Sequence, residues 1–213
     1  MNTLQIVCSY QQRFGPRGDT GYEVCEDEKY RPGKPCIVYS FGSLFMFGFE
    51  EDLIKYHQCE VHTYDPSVPI ADHVIPKGVK FHLVGLGDNV TTNSEGWKMQ
   101  TFSDIRRTLK TIDILKIDIE GGEWVSLAHA LQSGELRFVK QIQIELHFWG
   151  QQRVGMPLVR KLTVLKQLYE QGFRIFMHER FWTDECERKM RPPHPNITLC
   201  VILSFVNTKY QPY

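Results

Sequence analysis

Apolar residues along this chain follow two alternating periods. "CIVYSF" (36–41), "EVHTYD" (60–65), "VKFHLVGL" (79–86), "IDILKIDI" (112–119) and "VKQIQIELHF" (139–148) are short runs rich in β-branched and aromatic residues, the pattern of strands buried in a sheet. Between them the spacing becomes helical. "FEEDLIKYH" places Phe49, Leu53 and Tyr56 on one face, "TFSDIRRTLK" does the same with Phe102, Ile105 and Leu109, and a helix from about Glu123 to Leu131 carries Trp124, Leu127, Ala128 and Leu131. A longer helix is expected over 157–171, with Pro157 in its first turn, Leu158, Leu162, Leu165 and Tyr169 on one side, and Gly172 at its end. The last two apolar runs, "FRIFMHERF" (173–181) and "ITLCVILSFVN" (197–207), are separated only by the polar "WTDECERKMRPPHP", which predicts an antiparallel hairpin.

Strands alternating with helices predict a parallel sheet covered on both faces through right-handed crossovers. The first 35 residues carry Gly, Pro and charge without a sustained period and are expected to form an N-terminal extension, a cap on a domain running over 36–213. With 213 residues and 42% hydrophobic content the whole is one globular unit with a single sizeable core.

Composition removes several function classes. Twenty-five basic residues balance 25 acidic ones with no block of like charge, so neither nucleic acid nor an anionic membrane surface is an expected partner. The most apolar window, 37–49, is shorter than the ~20 residues of a membrane span and is broken by serine and glycine, so no transmembrane segment is expected in this chain. "MNTLQIVCSYQQRF" lacks the basic and long apolar regions of a signal peptide, while six cysteines and the triplets Asn89-Val90-Thr91 and Asn196-Ile197-Thr198 point toward an oxidising compartment; location stays open. The cysteines show no C-x-x-C pair and no zinc-finger spacing. Cys36 and Cys200, in apolar runs, are expected as small core residues, and Cys8 with Cys25 as a candidate disulfide. The triplet Arg17-Gly18-Asp19 is read as coincidence.

Five β-α units followed by a β-β pair resemble the class I S-adenosylmethionine-dependent methyltransferases. Within that class the chain resembles the FkbM-type and methyltransferase-like proteins, through KIDIEGGE (116–123), YSFG (39–42) and SFVN (204–207), over about residues 36–207. The resemblance implies a Rossmann-like α/β sandwich with a seven-stranded, mostly parallel sheet of order 3-2-1-4-5-7-6 and an antiparallel last strand. It also implies S-adenosylmethionine as cofactor, bound at the carboxyl ends of the strands.

Under that resemblance the candidate residues take roles. Gly42 after the first strand lets backbone approach the cofactor, with Ser40 and Ser43 as small polar neighbours, although Phe45, Met46 and Phe47 occupy a loop that is usually small or polar. An apolar plug there would make the chain a non-catalytic relative. Asp65, followed by Pro66, lies 23 positions beyond Gly42, near the spacing expected of a ribose-binding carboxylate. Gly85 and Gly87 permit close approach after the third strand, and Asp88 can accept from an adenine amino group. Asp118 and Glu120 alternate with Ile117 and Ile119 and are expected to face the cleft and hold the cationic amino group of the methionyl moiety; Glu123 is read as favouring a helix N-terminus.

Glu145 and His147, one residue apart at the end of the fifth strand, are expected with Asp118 to serve as base and orienter for a hydroxyl acceptor on a small molecule or glycan. The same three side chains have the donor set for a divalent metal, which is left open. The loop 182–196 is expected at the carboxyl edge, walling the acceptor pocket; its Arg188, Lys189 and Arg191 are read first as a solvated charged loop and second as a hint of an anionic or sugar-phosphate acceptor. An NAD-dependent oxidoreductase fits the layout but lacks G-x-G-x-x-G after the first strand.

Overall fold

The computed structural model describes residues 4–18, 20–67, 74–106, 111–148 and 156–211. Its main sheet has seven strands, numbered here in chain order: β1 (Ile37–Phe41), β2 (Glu60–Tyr64), β3 (Val79–His82), β4 (Ile112–Ile117), β5 (Val139–His147), β6 (Phe173–Phe181) and β7 (Cys200–Asn207). They lie in the order β3-β2-β1-β4-β5-β7-β6, and β7 runs antiparallel to both β5 and β6 while the other pairings are parallel. The expected seven-stranded, mostly parallel α/β sheet with its terminal hairpin is therefore present. Register brings the carboxyl ends together: Ile117 pairs with both Phe41 and Ile144, and Cys200 pairs with His147 on one side and Phe181 on the other. The loop after β6 thus leaves from the edge that carries His147.

The two faces are covered by different means. On one, Tyr39, Phe41, Leu115, Ile117, Ile142 and Ile144 pack in a common core with α2 (Phe102–Arg106), α3 (Glu123–Gln132) and α4 (Leu158–Glu170). On the other, Val38, Val61 and Ile114 meet α1 (Gly48–His57) and a small antiparallel hairpin made of Gln11–Phe14 and Tyr22–Cys25. Phe14, Tyr22 and Val24 of that hairpin are fully buried, and each such side chain contributes roughly 1.5–3 kcal/mol of transfer free energy. The Gln141 side chain of β5 holds the hairpin and its following turn by accepting from Cys25 N–H and donating to the carbonyls of Cys25 and Tyr30, each at 2.9 Å. The N-terminal hairpin thus completes the core of this face instead of resting on a finished domain.

Four local expectations change. The run 79–86 is not one strand: β3 stops at His82, and Gly85–Gly87 pairs with Lys98–Thr101 in a separate small sheet. In α4 the buried side is Lys161, Val164 and Leu168; of the apolar stripe read from the sequence only Leu165 packs against the core, half-buried, while Leu158, Leu162 and Tyr169 are exposed. Tyr56 of α1 is also exposed, so Phe49 and Leu53 alone carry the inner face. Cys36 and Cys200 are buried, but as disulfides, Cys36 with Cys59 and Cys200 with Cys186; Cys8 pairs with Cys25 as expected. Two further readings, Asp19 of the Arg-Gly-Asp triplet and Leu109 of the second helix, fall outside the described residues.

Candidate functional site

The carboxyl edge is built around the crossing of two loops. Gly42, with φ of 78°, sits so close to the turn after β4 that a Cβ there would lie 1.7 Å from the Asp118 carbonyl oxygen. Only glycine fits, and the contact fixes the height of Asp118 above β1. Beyond Asp118 the chain turns through Glu120 (φ 54°) and Gly121 (φ 100°) before α3 begins. A left-handed glutamate costs ~1–2 kcal/mol, and here it turns its carboxylate out toward the end of β5.

Asp118, Glu120 and His147 are brought together: one ligand atom from each lies within 4.8 Å of the others. His147 itself is deep, 3% exposed at its side chain, while the side chain of Glu120 is 69% exposed. The imidazole is oriented by Glu123, whose carboxylate is fully buried and lies 2.7 Å from Nδ1. Glu123 Oε1 also accepts from the N–H groups of Ile119 and Gly121, so one carboxylate fixes both the turn and the ring. With Nδ1–H donated to Glu123, Nε2 is directed at Glu145 (3.5 Å) and Glu120 (3.8 Å). The His147 carbonyl is held from behind by Trp124 Nε1 at 2.8 Å and by the buried Lys161 at 3.4 Å.

Burial alone would depress the His147 pKa, but hydrogen bonding and charge from Glu123, reinforced by Glu120 and Glu145, raise it to about 9. The ring is therefore an imidazolium at neutral pH, not the neutral base expected from the sequence. Glu120 is shifted upward, first by burial and then by Asp118, Glu123 and Glu185, against the pull of His147. Asp118 has two partners of its own: the Tyr22 hydroxyl donates to Oδ2 at 3.2 Å, and Lys116 Nζ stands 3.8 Å away while donating to the Gly42 carbonyl. Tyr22 and Glu123 were both missed as site residues. Glu123 stood in view as the last residue of KIDIEGGE, but nothing in the spacing of Tyr22 announces it.

The other half of the edge is closed on itself. Asp65 is 4% exposed, and its Oδ2 accepts from the N–H groups of Ser43 and Leu44 at 2.9 Å, its Oδ1 from Ser67 N–H at 2.9 Å and hydroxyl at 2.6 Å. All four lone-pair directions are used within the protein, so in this conformation Asp65 organises the loop after β1 instead of facing a ribose. Burial would raise its pKa, yet the bonds from Ser67, Ser43 and Leu44 together hold it below the usual carboxylate value.

Ser40 does not face the cleft either: it is fully buried and its hydroxyl donates to Glu50 of α1. Ser43 is buried beside Asp65. Gly87 belongs to the small sheet, where its neighbour is the Met99 side chain, and Pro66 lies against Gly85. Asp88 is exposed. Phe45 and Phe47 pack on Phe81 of β3, stacked at 5.1 Å and edge-on at 6.1 Å, while Leu44 and Met46 stay exposed.

A doubly covered, mostly parallel sheet with a terminal antiparallel strand, and polar side chains gathered at its carboxyl edge, defines a Rossmann-like α/β domain of the methyltransferase type. A family model described as "Methyltransferase domain" matches residues 2–188, and the chain belongs to that family. It is 25% identical over 238 residues to "Probable methyltransferase-like protein 24" of Homo sapiens and 26% identical over 234 residues to the protein of the same name in Rattus norvegicus. In each case 99% of this chain is covered, against 63% and 64% of the relative, so the chain spans somewhat under two thirds of the curated proteins it matches. Among solved structures, Aeropyrum pernix fibrillarin in complex with natively bound S-adenosyl-L-methionine is 13% identical, with 96% of this chain and 87% of that one covered at a TM-score of 0.45.

Proposed function

We propose that this domain transfers a methyl group from S-adenosylmethionine to a hydroxyl of a small molecule or glycan, at the carboxyl edge of β4 and β5. The observation that carries the reading is the convergence of Asp118, Glu120 and His147 there, with Glu123 locking the ring from below. The donor set fits the cofactor's cationic end: carboxylates at an open edge suit an ammonium group, and Asp118 and Glu120 would hold it. Ribose recognition is not assigned to Asp65, whose lone pairs are taken. The cofactor supplies an electrophilic methyl group on a sulfonium; the residues described here bind, orient and manage the acceptor proton.

His147 is the proposed proton acceptor, with Glu145 beside Nε2 and Glu123 on Nδ1. Its high pKa leaves only a minority neutral at pH 7, on the order of a hundredth. A cation bound against Glu120 would offset one of the charges that raise that pKa and so enlarge the neutral fraction. The loop 182–199, tied to β7 by Cys186–Cys200, emerges beside His147 and would wall the acceptor; its exposed Arg188, Lys189 and Arg191 are matched by Asp184, Glu185 and Glu187, so the loop's charge does not set the sign of the acceptor.

Calorimetric titration with S-adenosylhomocysteine tests the reading. The wild-type chain should bind, and Asp118→Asn should bind ~10- to 150-fold more weakly, the worth of a charge-assisted hydrogen bond, while keeping its circular dichroism spectrum. Equal affinity in a folded Asp118→Asn chain sinks the assignment. No binding by the wild type would favour a non-catalytic module in which the Phe45–Phe47 cluster fills the cofactor slot. A second reading has a specific observation behind it: the same three donors could hold a divalent cation that positions the hydroxyl, in which case chelation abolishes turnover and leaves cofactor binding intact.

A further inference from the structure

All six cysteines are used in three disulfides, Cys8–Cys25, Cys36–Cys59 and Cys186–Cys200, and none is free. They are spread over the whole chain. One staples the N-terminal hairpin, one joins the chain just before β1 to the chain just before β2, and one ties the loop after β6 to the first residue of β7. No pair is part of a C-x-x-C motif or has a third thiol beside it to attack it, so the arrangement is structural and not that of a catalytic dithiol. Reducing compartments do not sustain such a set in an ordinary intracellular protein.

A second, independent feature points the same way. Asn89-Val90-Thr91 is an N-glycosylation acceptor sequence, and all three residues are exposed, Asn89 and Val90 in the turn after the strand Gly85–Gly87 and Thr91 opening the strand Thr91–Thr92. The other acceptor sequence, Asn196-Ile197-Thr198, is engaged by its own fold. Asn196 Nδ2 donates to Glu187 at 2.7 Å and Oδ1 accepts from Met190 N–H at 3.2 Å. The Thr198 hydroxyl is bonded to the carbonyls of Phe181 and Cys200. All of this lies in or beside the loop closed by Cys186–Cys200. The two acceptor sequences are chemically alike, but the first is exposed throughout, its Thr91 hydroxyl making a long 3.4 Å contact with the adjacent Thr92 carbonyl, whereas the second is tied into its loop through both Asn196 and Thr198.

We propose that this chain folds in an oxidising secretory compartment and carries an N-linked glycan on Asn89. In the step itself Asn89 Nδ2 forms a bond to the anomeric carbon of an oligosaccharide carried on a lipid pyrophosphate; the amide loses one proton and the lipid pyrophosphate departs with the bonding electrons, so nothing is oxidised or reduced. The inference is independent of the methyl-transfer reading and survives its failure. It also restricts acceptors, if that reading holds, to molecules present in or passing through that compartment.

The test is to express the full chain behind a cleavable secretion leader in a eukaryotic cell and, in parallel, in a reducing cytosol. The secreted chain should contain no alkylatable thiol before reduction, and peptide-N-glycosidase should remove one glycan's mass and convert Asn89 to aspartate. Asn89→Gln and Thr91→Ala should each abolish that mass shift completely, and Asn196→Gln should leave it unchanged. Either of the first two variants suffices if the other fails to fold. A secreted, folded chain with no glycan, a shift that persists in Asn89→Gln, or free thiols in that chain would each overturn the proposal. So would a chain that folds in the reducing cytosol but is retained and degraded in the secretory route.

Discussion

The two halves of the carboxyl edge are made from similar side chains used in opposite ways. After β1 and β2, Asp65 spends every lone pair on Ser43, Leu44 and Ser67, and the result is a closed loop with a carboxylate pulled to low pKa. After β4 and β5, four acidic residues gather around one buried imidazole, with Glu120 reaching solvent, and that imidazole is held as a cation. A carboxylate whose acceptor sites are filled by N–H and O–H donors is a structural anchor; a charged imidazole ringed by carboxylates is placed to exchange its proton with whatever arrives. The contrast assigns stability to one half and chemistry to the other, and it can be attacked from either side.

The largest expected effect is on turnover. His147→Gln keeps a hydrogen-bonding side chain of similar reach but cannot accept a proton, and should lower turnover by ~10²–10⁴-fold with cofactor affinity near that of the wild type. In the unsubstituted chain, because the ring must be neutral to act, the rate should climb about tenfold per pH unit and level off near or below about 9. A flat profile between pH 6 and 9 on an identified acceptor, or full turnover by His147→Gln, removes the base role.

Glu123→Gln comes next, and it separates structure from chemistry within the active half. Breaking a buried charge pair by removing one partner typically costs ~3–5 kcal/mol, here compounded by the two backbone N–H groups that Glu123 also holds. Linkage gives an independent readout. A His147 pKa raised from ~6.5 in the unfolded chain to about 9 in the folded one contributes stability that is complete below pH ~6.5 and is lost as pH rises through about 9. Urea midpoints for the wild type should fall over that window, and in Glu123→Gln the fall should flatten, since the first of the causes raising the pKa is gone.

Asp65→Asn probes the closed half. An amide has one oxygen in place of two, so either the Ser43 and Leu44 N–H groups or the Ser67 pair loses its acceptor, at a cost of ~1.5–3 kcal/mol. The native contribution of Asp65 is present above its unfolded pKa of ~3.9 and disappears as pH falls through its lowered folded value. Amide exchange at Ser43 and Leu44 should accelerate while His147 chemistry is unaltered. If Asp65→Asn weakens cofactor binding without loosening those amides, the carboxylate faces the ligand after all and the division drawn here is wrong.

These residues also show why the fold was more legible than the site. Strand and helix periods depend on many positions at once, so the sheet survives local errors such as the truncated β3. A site depends on where single side chains end up. The alternation of Asp118 with Glu120 was read as strand geometry, yet β4 ends at Ile117, and the two acids meet through the left-handed turn at Glu120 and Gly121. Ser40 looked available because serine is polar; α1 carries Glu50 back onto it, a pairing no spacing rule encodes. The outer stripe of α4 shows the same limit, since an apolar face marks a helix but not which of its neighbours will cover it. Tyr22 was the least legible of all, because the segment before β1 carries no sustained period.

That residue supplies the smallest and most discriminating test. Tyr22 is fully buried, its ring packs edge-on against Phe49 at 5.2 Å, and only its hydroxyl reaches the site, donating to Asp118 at 3.2 Å. Tyr22→Phe keeps the ring and deletes the hydroxyl that donates to Asp118, so stability should change by ~1 kcal/mol or less, with Lys116 still beside Asp118. If the hairpin only covers the sheet, nothing else should move. If it is part of the site, Asp118 loses a donor that fixes its rotamer, and the affinity for S-adenosylhomocysteine should drop by a similar free energy. A double-mutant cycle with Asp118→Asn isolates that share, because the Tyr22 effect should vanish once the carboxylate is gone. Strictly additive effects would confine Tyr22, and with it the N-terminal hairpin, to the core.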